Sequence, residues 1–404
     1  MTGSTAQCCI VGGGPAGMML GFLLGRAGVK TVVLEKHGDF LRDFRGDTVH
    51  PSTLNVMDEL GLLDAFLKLP HQKVSRFGAQ FGEERVQVAD FSHLPGRGRF
   101  IALMPQWDFL NFLADQGKRY PAFSVLMNAE ATSLIEESGR VVGVHATIDG
   151  KPQEIRADLI VGADGRHSTV RASAGFDVKV LGAPMDVLWF RLSHKPTDSA
   201  ETMGRFDRGS ILVMLDRGDY WQCAYVIAKG SADSLKAAGI EQFRARIVAL
   251  MPFLADRVQE LETVEDLKLL TVGVERLDIW WKPGLLCIGD AAHTMSPIGG
   301  VGVNIAVQDA VAAANILAVP LREGRLQDAD LQAVQARRLW PVRVTQAIQV
   351  FLQNRMIAPM LAGERPLHPP LLVRLLDRFA LLRRLPARVL GLGVQPEHVK
   401  IHSA

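Results

Sequence analysis

Gly12-Gly13-Gly14-Pro15-Ala16-Gly17 stands between two apolar segments near the start of the sequence. Residues 7–11 have the length and composition of a strand, and residues 18–25 follow an apolar helical pattern. The spacing of Gly12, Gly14 and Gly17 permits a tight turn, a close approach of backbone to a pyrophosphate, and close helix packing. The stretch therefore predicts a strand, a turn and a helix whose first N–H groups bind a dinucleotide.

A second strand and an acidic residue extend this pattern. Residues 31–34 are apolar, and Glu35 and Lys36 follow them. A carboxylate at this strand end can accept hydrogen bonds from both ribose hydroxyls of a dinucleotide. A glycine turn without a ligand is the simpler alternative, but strand, turn, helix, strand and acid all occur in the expected order. We therefore predict a Rossmann-like unit.

The composition is that of a globular protein with a full core. Of 404 residues, 48% are hydrophobic and 22% charged, and the net charge is +2. The length allows two domains or one domain with an insertion, and we predict no nucleic-acid partner. The four cysteines form no Cys-x-x-Cys pair, so we expect buried thiols in a reducing cytoplasm and no metal site. Residues 2–25 are uncharged, but their glycines and proline would break a membrane-spanning helix.

Two further glycine segments follow predicted strands later in the sequence. Residues 159–161 precede Gly162-Ala163-Asp164-Gly165, and residues 285–288 precede Gly289-Asp290. A glycine-rich turn and an alanine-rich helix, at about residues 305–317, come next. A strand that ends in Gly-Asp can direct a carboxylate at a ribityl hydroxyl, and a glycine turn lets backbone and the positive helix end approach a flat ring.

These ordered motifs resemble the class A flavoprotein aromatic hydroxylases, the family of para-hydroxybenzoate hydroxylase and the ubiquinone-pathway hydroxylases, over about residues 5–350. The resemblance implies non-covalently bound FAD and NADH or NADPH as a transient co-substrate. It places Glu35 at the adenosine ribose, Asp290 at the ribityl chain, and Asp164 in a segment linked to both FAD and NAD(P)H. The other FAD contacts that it implies are Arg45, Gln106, Pro297, Gly299, Gly302, Val303 and Asn304.

The middle of the sequence departs from the dinucleotide pattern. Alternating and aromatic runs near residues 187–192, 210–215 and 220–227 predict a largely antiparallel sheet that covers the flavin, with Trp221, Cys223 and Tyr225 on one face. The predicted fold is α/β, with a Rossmann-like FAD-binding domain, a substrate domain and C-terminal helices. We assign residues 1–72, 99–177 and 269–345 to the first, 73–98 and 178–268 to the second, and 346–404 to the helical region.

The resemblance also implies the reaction: NAD(P)H reduces FAD, O₂ forms a flavin hydroperoxide, and one oxygen atom is transferred to an aromatic or quinone-like small molecule. His50 is the candidate for proton handling, because some family members that hydroxylate nitrogen heterocycles carry a histidine there. A histidine that satisfies backbone groups at a helix start is an equal alternative. The other catalytic candidates are Tyr225, which packing could explain, and Pro297 at the flavin ring.

Arginines on the strands provide weaker candidates for substrate binding. Arg191 or Arg205 could bind a substrate carboxylate, although a solvated strand-face arginine is favoured. His293 follows the Gly289-Asp290 turn, and we expect it to support that turn.

The C-terminal region predicts a basic amphipathic helix. Leu372, Leu375, Leu376 and Phe379 share one helical face within residues 371–390, and Pro386 would end or kink the helix. Packing of this face on the FAD-binding domain or a second subunit is favoured over peripheral membrane contact or capture of a lipophilic substrate. We expect a cytoplasmic monomer or homodimer.

Three other functions fit parts of the pattern. The nearest is an FAD-dependent reductase or dehydrogenase of the same fold that inserts no oxygen. A flavin halogenase is disfavoured because its Trp-x-Trp-x-Ile-Pro segment is missing from the sequence. A flavin-binding sensor or carrier without catalysis is disfavoured because Asp164, Asp290 and the glycine turn are all intact.

Overall fold

The computed structural model describes residues 4–41, 48–198, 203–363 and 368–403. Its first sheet is built around β1 (Ser4–Val11), which pairs in parallel with β2 (Thr31–Leu34) and β11 (Lys151–Gly162). The central parallel strands are buried where they approach the carboxyl edge of the sheet, as expected where helices cover a sheet. The order across the sheet is β19 (Trp281–Lys282), β20 (Leu285–Cys287), β11, β1, β2 and β8 (Phe123–Leu126), with antiparallel β10 (Arg140–Ile148) and β9 (Ala129–Glu137) continuing from β11.

Two helices after glycine turns pack on this sheet. α1 (Pro15–Arg26) follows β1 and contacts α8 (Gly302–Arg322), which is longer than predicted because it begins within the glycine turn. Residues Ile298–Arg322 are long and apolar enough to span a membrane, but 83% of their most apolar window is buried inside the protein. The four cysteines are buried with free thiols, and burial raises the pKa of Cys9 to about 12.

Glycines let α1 approach the sheet closely. A Cβ at Gly21 would lie 2.6 Å from Cγ2 of Val33, and a Cβ at Gly25 would lie 2.4 Å from Cβ of Phe123. These glycines and Gly17 recur every four residues, so they share one face of the helix.

The remaining helices cover the sheets and connect them. They are α2 (Pro51–Glu59), α3 (Leu63–Phe66), α4 (Gln106–Gly117), α5 (Thr169–Ser173), α6 (Ala232–Ala237), α7 (Ile240–Leu250), α9 (Asp328–Leu352), α10 (Ala358–Leu361), α11 (Leu371–Arg378) and α12 (Arg384–Leu392).

The second sheet is largely antiparallel, as predicted. Its order is β17 (Lys268–Leu270), β13 (Met185–Ser193), β16 (Tyr220–Ala228), β15 (Ser210–Asp216), β14 (Met203–Asp207), β5 (Arg76–Phe81) and β6 (Glu84–Asp90), and β14 pairs with β5 in parallel. Small sheets connect the elements: β3 (Thr48–Val49), β7 (Ile101–Leu103) and β4 (Gln72–Val74) form one, and β12 (Val178–Val180), β18 (Glu275–Leu277) and β21 (His293–Thr294) another.

The two faces of the second sheet have different neighbours. Trp221, Cys223 and Tyr225 lie on one face, as predicted, and pack with Phe243 of α7. The opposite face forms an apolar cluster with Ile298, which belongs to the glycine turn before α8. The second face is therefore the one that turns toward the first sheet's glycine motifs.

The C-terminal region differs from the prediction. The expected single helix is two helices, α11 and α12, and Pro386 lies in the first turn of α12, where its missing N–H costs nothing. Val373 is buried against the second sheet, whereas Leu372 and Phe379 are 67% and 52% exposed. The prediction that the leucine face packs on the FAD-binding domain is therefore wrong.

Replacement of Gly25 by alanine tests the close packing of α1. Alanine is the better helix former by about 1 kcal/mol, but its Cβ would overlap Phe123, and overpacking typically costs about 1–3 kcal/mol or more. We expect Gly25→Ala to lower the free energy of unfolding by up to about 2 kcal/mol, the packing cost less the gain in helix propensity, measured by urea denaturation. An unchanged or higher stability would show that the helix can move away from β8 without cost.

Candidate active site

The three glycine segments meet at one edge of the first sheet. Val11 pairs with Gly162, and Gly162 pairs with Cys287, so three adjacent parallel strands end side by side. The residues that follow, Gly12, Asp164 and Asp290, therefore leave the sheet at the same carboxyl edge. Ligands of open α/β sheets bind at such an edge.

The first glycine turn forms a cradle at the start of α1. Gly12 has φ 108°, and a Cβ there would lie 2.4 Å from the carbonyl oxygen of Ala163. Gly14 precedes the helix, has open space on its Cβ side, and makes no side-chain cap. Pro15 opens α1, so the first helical N–H groups belong to Ala16 and Gly17. Uncapped N–H groups beside open space fit a pyrophosphate.

Glu35 lies beside this cradle at the end of β2. Its side chain is buried, and its carboxylate accepts hydrogen bonds from the N–H groups of Gly13 (3.1 Å) and His37 (3.0 Å). A carboxylate at this strand end is the type of group that accepts hydrogen bonds from ribose hydroxyls, and the contact of Glu35 with the adenosine ribose stays a prediction. The side chain of Lys36 is exposed.

The carboxylate of Asp164 is engaged in local structure. It accepts hydrogen bonds from Oγ of Ser168 (2.5 Å) and the N–H of Val170 (3.1 Å), at the start of α5. Burial raises its pKa despite these bonds. Asp164 thus holds α5 against the strand ends, and its part in cofactor binding stays a prediction.

A buried ionic network supports the turn that carries Asp290. Asp309 of α8 accepts hydrogen bonds from the N–H of Gly289 (3.1 Å) and pairs with Nε2 of His293 (2.6 Å) and Nε of Arg338 (2.9 Å). Arg338 also pairs with Glu397 at 3.3 Å. Burial alone would raise the pKa of Asp309, but His293 and Arg338 hold it below its usual value. His293 supports the turn, as expected, through Asp309.

The sequence analysis missed Asp309, Arg338 and Glu397. The available signal was the polar pair Gln308-Asp309 inside an otherwise apolar and alanine-rich helix. A fully buried carboxylate requires a partner, so that pair predicts a buried cation. The identity of the partner, however, depends on packing between α8 and α9.

The glycine turn before α8 borders open space at Gly302. Gly299 and Gly300 have φ of 78° and 62°, a backbone conformation that favours glycine, and they pack closely against Leu390 and Thr48. Oγ1 of Thr48 donates to the carbonyl of Gly300 at 2.9 Å. Within the described part of the chain no side chain caps α8, and the Cβ side of Gly302 is open. The positive end of α8 thus points to a space that could hold a flat, electron-accepting ring.

Comparison with known proteins identifies this arrangement. The chain matches the FAD binding domain family over residues 5–347. It belongs to that family. It is 33% identical to 6-methylpretetramide 4-monooxygenase of Streptomyces rimosus over 88% of this chain and 85% of that one.

Solved structures share the fold. PqsL of Pseudomonas aeruginosa, a probable FAD-dependent monooxygenase, superposes with a TM-score of 0.75 at 23% identity, covering 89% of this chain and 98% of that one. OxyS anhydrotetracycline hydroxylase of Streptomyces rimosus has a TM-score of 0.74 at 22% identity, covering 97% and 77%.

The chain is therefore a flavoprotein monooxygenase that uses FAD and NAD(P)H to hydroxylate an aromatic compound. The relatives are named for oxygen insertion, so the reductase alternative is not favoured. The open cradle at Gly14 suits the pyrophosphate of FAD, and the open space at Gly302 suits its ring.

The remaining predicted cofactor residues occupy different environments. Arg45 lies outside the described residues. Gln106 opens α4 and is half-buried, and Pro297 and Val303 are half-buried beside the glycine turn.

Asn304 is a structural residue in this arrangement. Its side-chain oxygen accepts from the N–H of His50 (2.8 Å) and Oγ1 of Thr53 (2.7 Å), and its amide donates to the carbonyls of Thr48 (3.2 Å) and Gly300 (3.4 Å). These bonds use both lone pairs and both donors of the amide. The side chain of Asn304 is thus fully bonded to the protein, and the contact of Asn304 with FAD stays a prediction. Asn304 holds the glycine turn to β3 and α2.

His50 connects the start of α2 to the C-terminal helices. It is completely buried, and its Nδ1 lies 2.8 Å from the carbonyl oxygen of Leu390 in α12. A carbonyl only accepts, so Nδ1 carries the proton and Nε2 holds a lone pair. Burial lowers the pKa of His50 to about 4 despite the bond to Leu390. His50 thus bonds another helix rather than its own, and its catalytic role stays a prediction.

Tyr225 is turned away from the glycine turn. Its ring is buried against Phe243, with ring centroids 5.3 Å apart, and its hydroxyl lies 3.1 Å from Oγ of Ser210. The opposite face of the sheet packs with Ile298. The prediction of a catalytic Tyr225 is wrong for this reason.

Neither candidate arginine has the expected environment of a carboxylate site. Arg205 shares the Tyr225 side of the sheet, since its strand partner Leu212 pairs with Tyr225, and its guanidinium lies 3.4 Å from Asp207. Arg191 is exposed over the ring of Tyr220.

Two alanine substitutions distinguish the effect of the glycine turn on FAD binding from its effect on stability. Gly14 has an extended backbone and open space, so Gly14→Ala should leave the stability of the apoprotein unchanged. Its methyl group would occupy the pyrophosphate position, and we expect FAD affinity to fall roughly tenfold or more, about 1.4 kcal/mol. Titration of apoprotein with FAD, followed by flavin fluorescence, measures this.

Gly12→Ala is the matched control for that experiment. Its positive φ and the overlap with Ala163 should lower apoprotein stability by about 2–5 kcal/mol, measured by urea denaturation. If Gly14→Ala binds FAD as tightly as the unchanged protein, the phosphates do not bind at this turn.

The buried ring of His50 should make stability depend on pH. The unfolded chain binds a proton near pH 6.5, whereas folded His50 binds it only near pH 4. The contribution of neutral His50 to the free energy of unfolding is therefore fully present above pH 6.5, and it is lost as the pH falls toward 4. Between pH 7 and 5, the free energy of unfolding should fall more for the unchanged protein than for His50→Asn. The two decreases should differ by about 2 kcal/mol, measured by urea denaturation at each pH. Parallel curves would mean that His50 has the same pKa in the folded and the unfolded protein.

Proposed function

We propose that this monooxygenase hydroxylates a polycyclic phenolic compound of the kind to which 6-methylpretetramide belongs. The observation that carries the proposal is the apolar cluster between the second sheet and the glycine turn. There Ile298 of the turn packs with residues of the sheet face, including Val187, Ala224 and Val226. The aromatic residues Trp189 and Phe206 border the same cluster. Apolar and aromatic side chains next to the ring site favour an apolar, aromatic substrate.

The similarity to 6-methylpretetramide 4-monooxygenase supports this substrate class. The relative with 33% identity is named for 6-methylpretetramide, and the identity extends over 88% of the chain. That coverage includes the second sheet, which provides the apolar side chains. Similarity thus supports the fused-ring class, and packing supports an apolar, aromatic substrate.

The residues of the chain prepare the reaction by position and charge. Bound FAD, once reduced by NADH or NADPH, activates O₂ so that one oxygen atom enters the substrate and the other leaves as water. The N–H groups at the start of α8 stabilise negative charge on a ring placed before them. The apolar cluster excludes water and positions the substrate ring. The Nδ1–H of His50 donates to the carbonyl of Leu390, so its buried ring holds α12 to the start of α2.

The location and oligomeric state of the enzyme are proposed from its sequence. We propose a cytoplasmic enzyme that acts as a monomer or homodimer, with O₂ and a small aromatic compound as its partners. We also propose the FAD-binding and substrate domain boundaries given above, because the strands of the second sheet come from residues 76–90 and 185–270.

The test is coupled turnover with matched substrates. Purified holoenzyme should oxidise NADH or NADPH faster with fused-ring phenols than with single-ring phenols, and each product should gain one atom from isotopically labelled O₂. Hydrogen peroxide is measured in parallel, because uncoupled turnover oxidises NAD(P)H without product. A fused-ring compound that lacks the phenol hydroxyl is the control. Hydroxylation of single-ring phenols alone would overturn the substrate class and leave the monooxygenase assignment intact.

A further inference from the structure

The C-terminal helices carry a surface that is both apolar and positively charged. Its apolar residues are between 39% and 74% exposed. We call it the α11–α12 surface, formed by Leu371, Leu372, Leu375, Phe379, Leu381, Leu382 and Leu385 with Arg374, Arg378, Arg384 and Arg388. Contiguous exposed apolar residues at this density are typical of interaction sites.

The inner side of these helices is fixed to the protein. Val373 packs against the second sheet, and the carboxylate of Asp377 accepts the N–H of Gln87 in β6 at 2.8 Å. Arg383 donates to Oε1 of Gln87 at 3.1 Å, and Ala387 is completely buried. The leucines therefore face outward because the opposite side of each helix is already bound.

The charge of the surface has one sign. Asp377 is the only acidic residue within residues 368–392, and its carboxylate is bound to β6. Among the residues that the structure describes, none of the four arginines of the surface has an ion-pair partner. The surface thus combines apolar area with unneutralised positive charge.

This charge pattern argues against a second copy as the occupant. In a two-fold symmetric dimer the same patch contacts itself. Two α11–α12 surfaces would bring eight arginines together without a carboxylate of the patch between them. An anionic bilayer offers both complements, since its phosphates attract arginine and its acyl region accepts leucine and phenylalanine.

A cavity beside α12 is lined in part by the same residues. It has a volume of about 340 Å³ and lies between α12 and the turn at residues 93–95. Leu94, Leu381 and Leu385 form apolar walls, and Arg384 and Arg388 line it as well. The recess thus has the same combination of apolar and cationic side chains as the α11–α12 surface.

We propose that the α11–α12 surface docks the enzyme on anionic lipid bilayers. The leucines and Phe379 lie at the boundary between headgroups and acyl chains, and the arginines contact lipid phosphates. The proposal goes beyond the hydroxylation reaction and does not depend on the identity of the substrate. It replaces the subunit or domain packing that the sequence favoured for this face.

Vesicle sedimentation of the holoenzyme tests the proposal. The unchanged enzyme should sediment with vesicles of phosphatidylcholine and phosphatidylglycerol, less with rising salt, and little with pure phosphatidylcholine. Each arginine near an anionic surface contributes about 1 kcal/mol, or about fivefold in partitioning. Arg374→Gln/Arg378→Gln should therefore weaken binding by roughly 25-fold, and Leu372→Ser/Leu375→Ser should weaken it as well.

Trp340→Ser is the matched control, because Trp340 of α9 is 57% exposed but lies outside this surface. It should bind vesicles as the unchanged enzyme does, and every variant should retain its FAD. If Arg374→Gln/Arg378→Gln loses its FAD, the vesicle experiment is repeated with Arg384→Gln/Arg388→Gln instead.

Three results would overturn the proposal: no sedimentation with anionic vesicles at low salt, equal binding by the surface variants, or equal and salt-independent binding to neutral vesicles. Size-exclusion chromatography identifies the rival occupant. If the surface variants convert a dimer to a monomer and no vesicle binds, the surface is a subunit interface.

Discussion

A single buried carboxylate connects the parts of the cofactor site. Asp309 has no exposure, and its oxygens are bound by the backbone of Gly289, by His293 and by Arg338. A buried ion pair adds little net stability, but removal of one partner typically costs about 3–5 kcal/mol, because the other charge stays buried. The turn with Asp290, the long helix α8 and the helix α9 thus keep their relative positions through this one side chain.

The sequence predicted the parts of the site that depend on local backbone chemistry. Gly12, Gly14 and Gly17 have a spacing that only a few backbone conformations explain, and the strands beside them are short apolar runs. Their common edge follows from parallel pairing, which places Val11, Gly162 and Cys287 in register. Such features can be predicted from sequence because each motif restricts the backbone conformation of the residues next to it.

Features that depend on long-range packing were not readable. Periodicity placed Tyr225 with Trp221 and Cys223, but it could not tell which face of the sheet would meet α7 and which would meet Ile298. The amphipathic pattern of α11 likewise identified the leucine face without its orientation. The sequence likewise did not indicate the four bonds to the protein that saturate the amide of Asn304.

The ion pair between Arg338 and Glu397 has a consequence for the order of events during synthesis. Gly12 leaves the ribosome early, whereas Glu397 is made 385 residues later (397 − 12). At about 5–20 residues per second, that interval is roughly 20 to 80 s. β1 lacks its neighbour β11 until residue 162 has been made, and the ionic network of Asp309 lacks Glu397 until the end of the interval. The nascent chain therefore exposes an apolar strand edge in the first part of this interval, and the support of the Asp290 turn is complete only once Glu397 has been made.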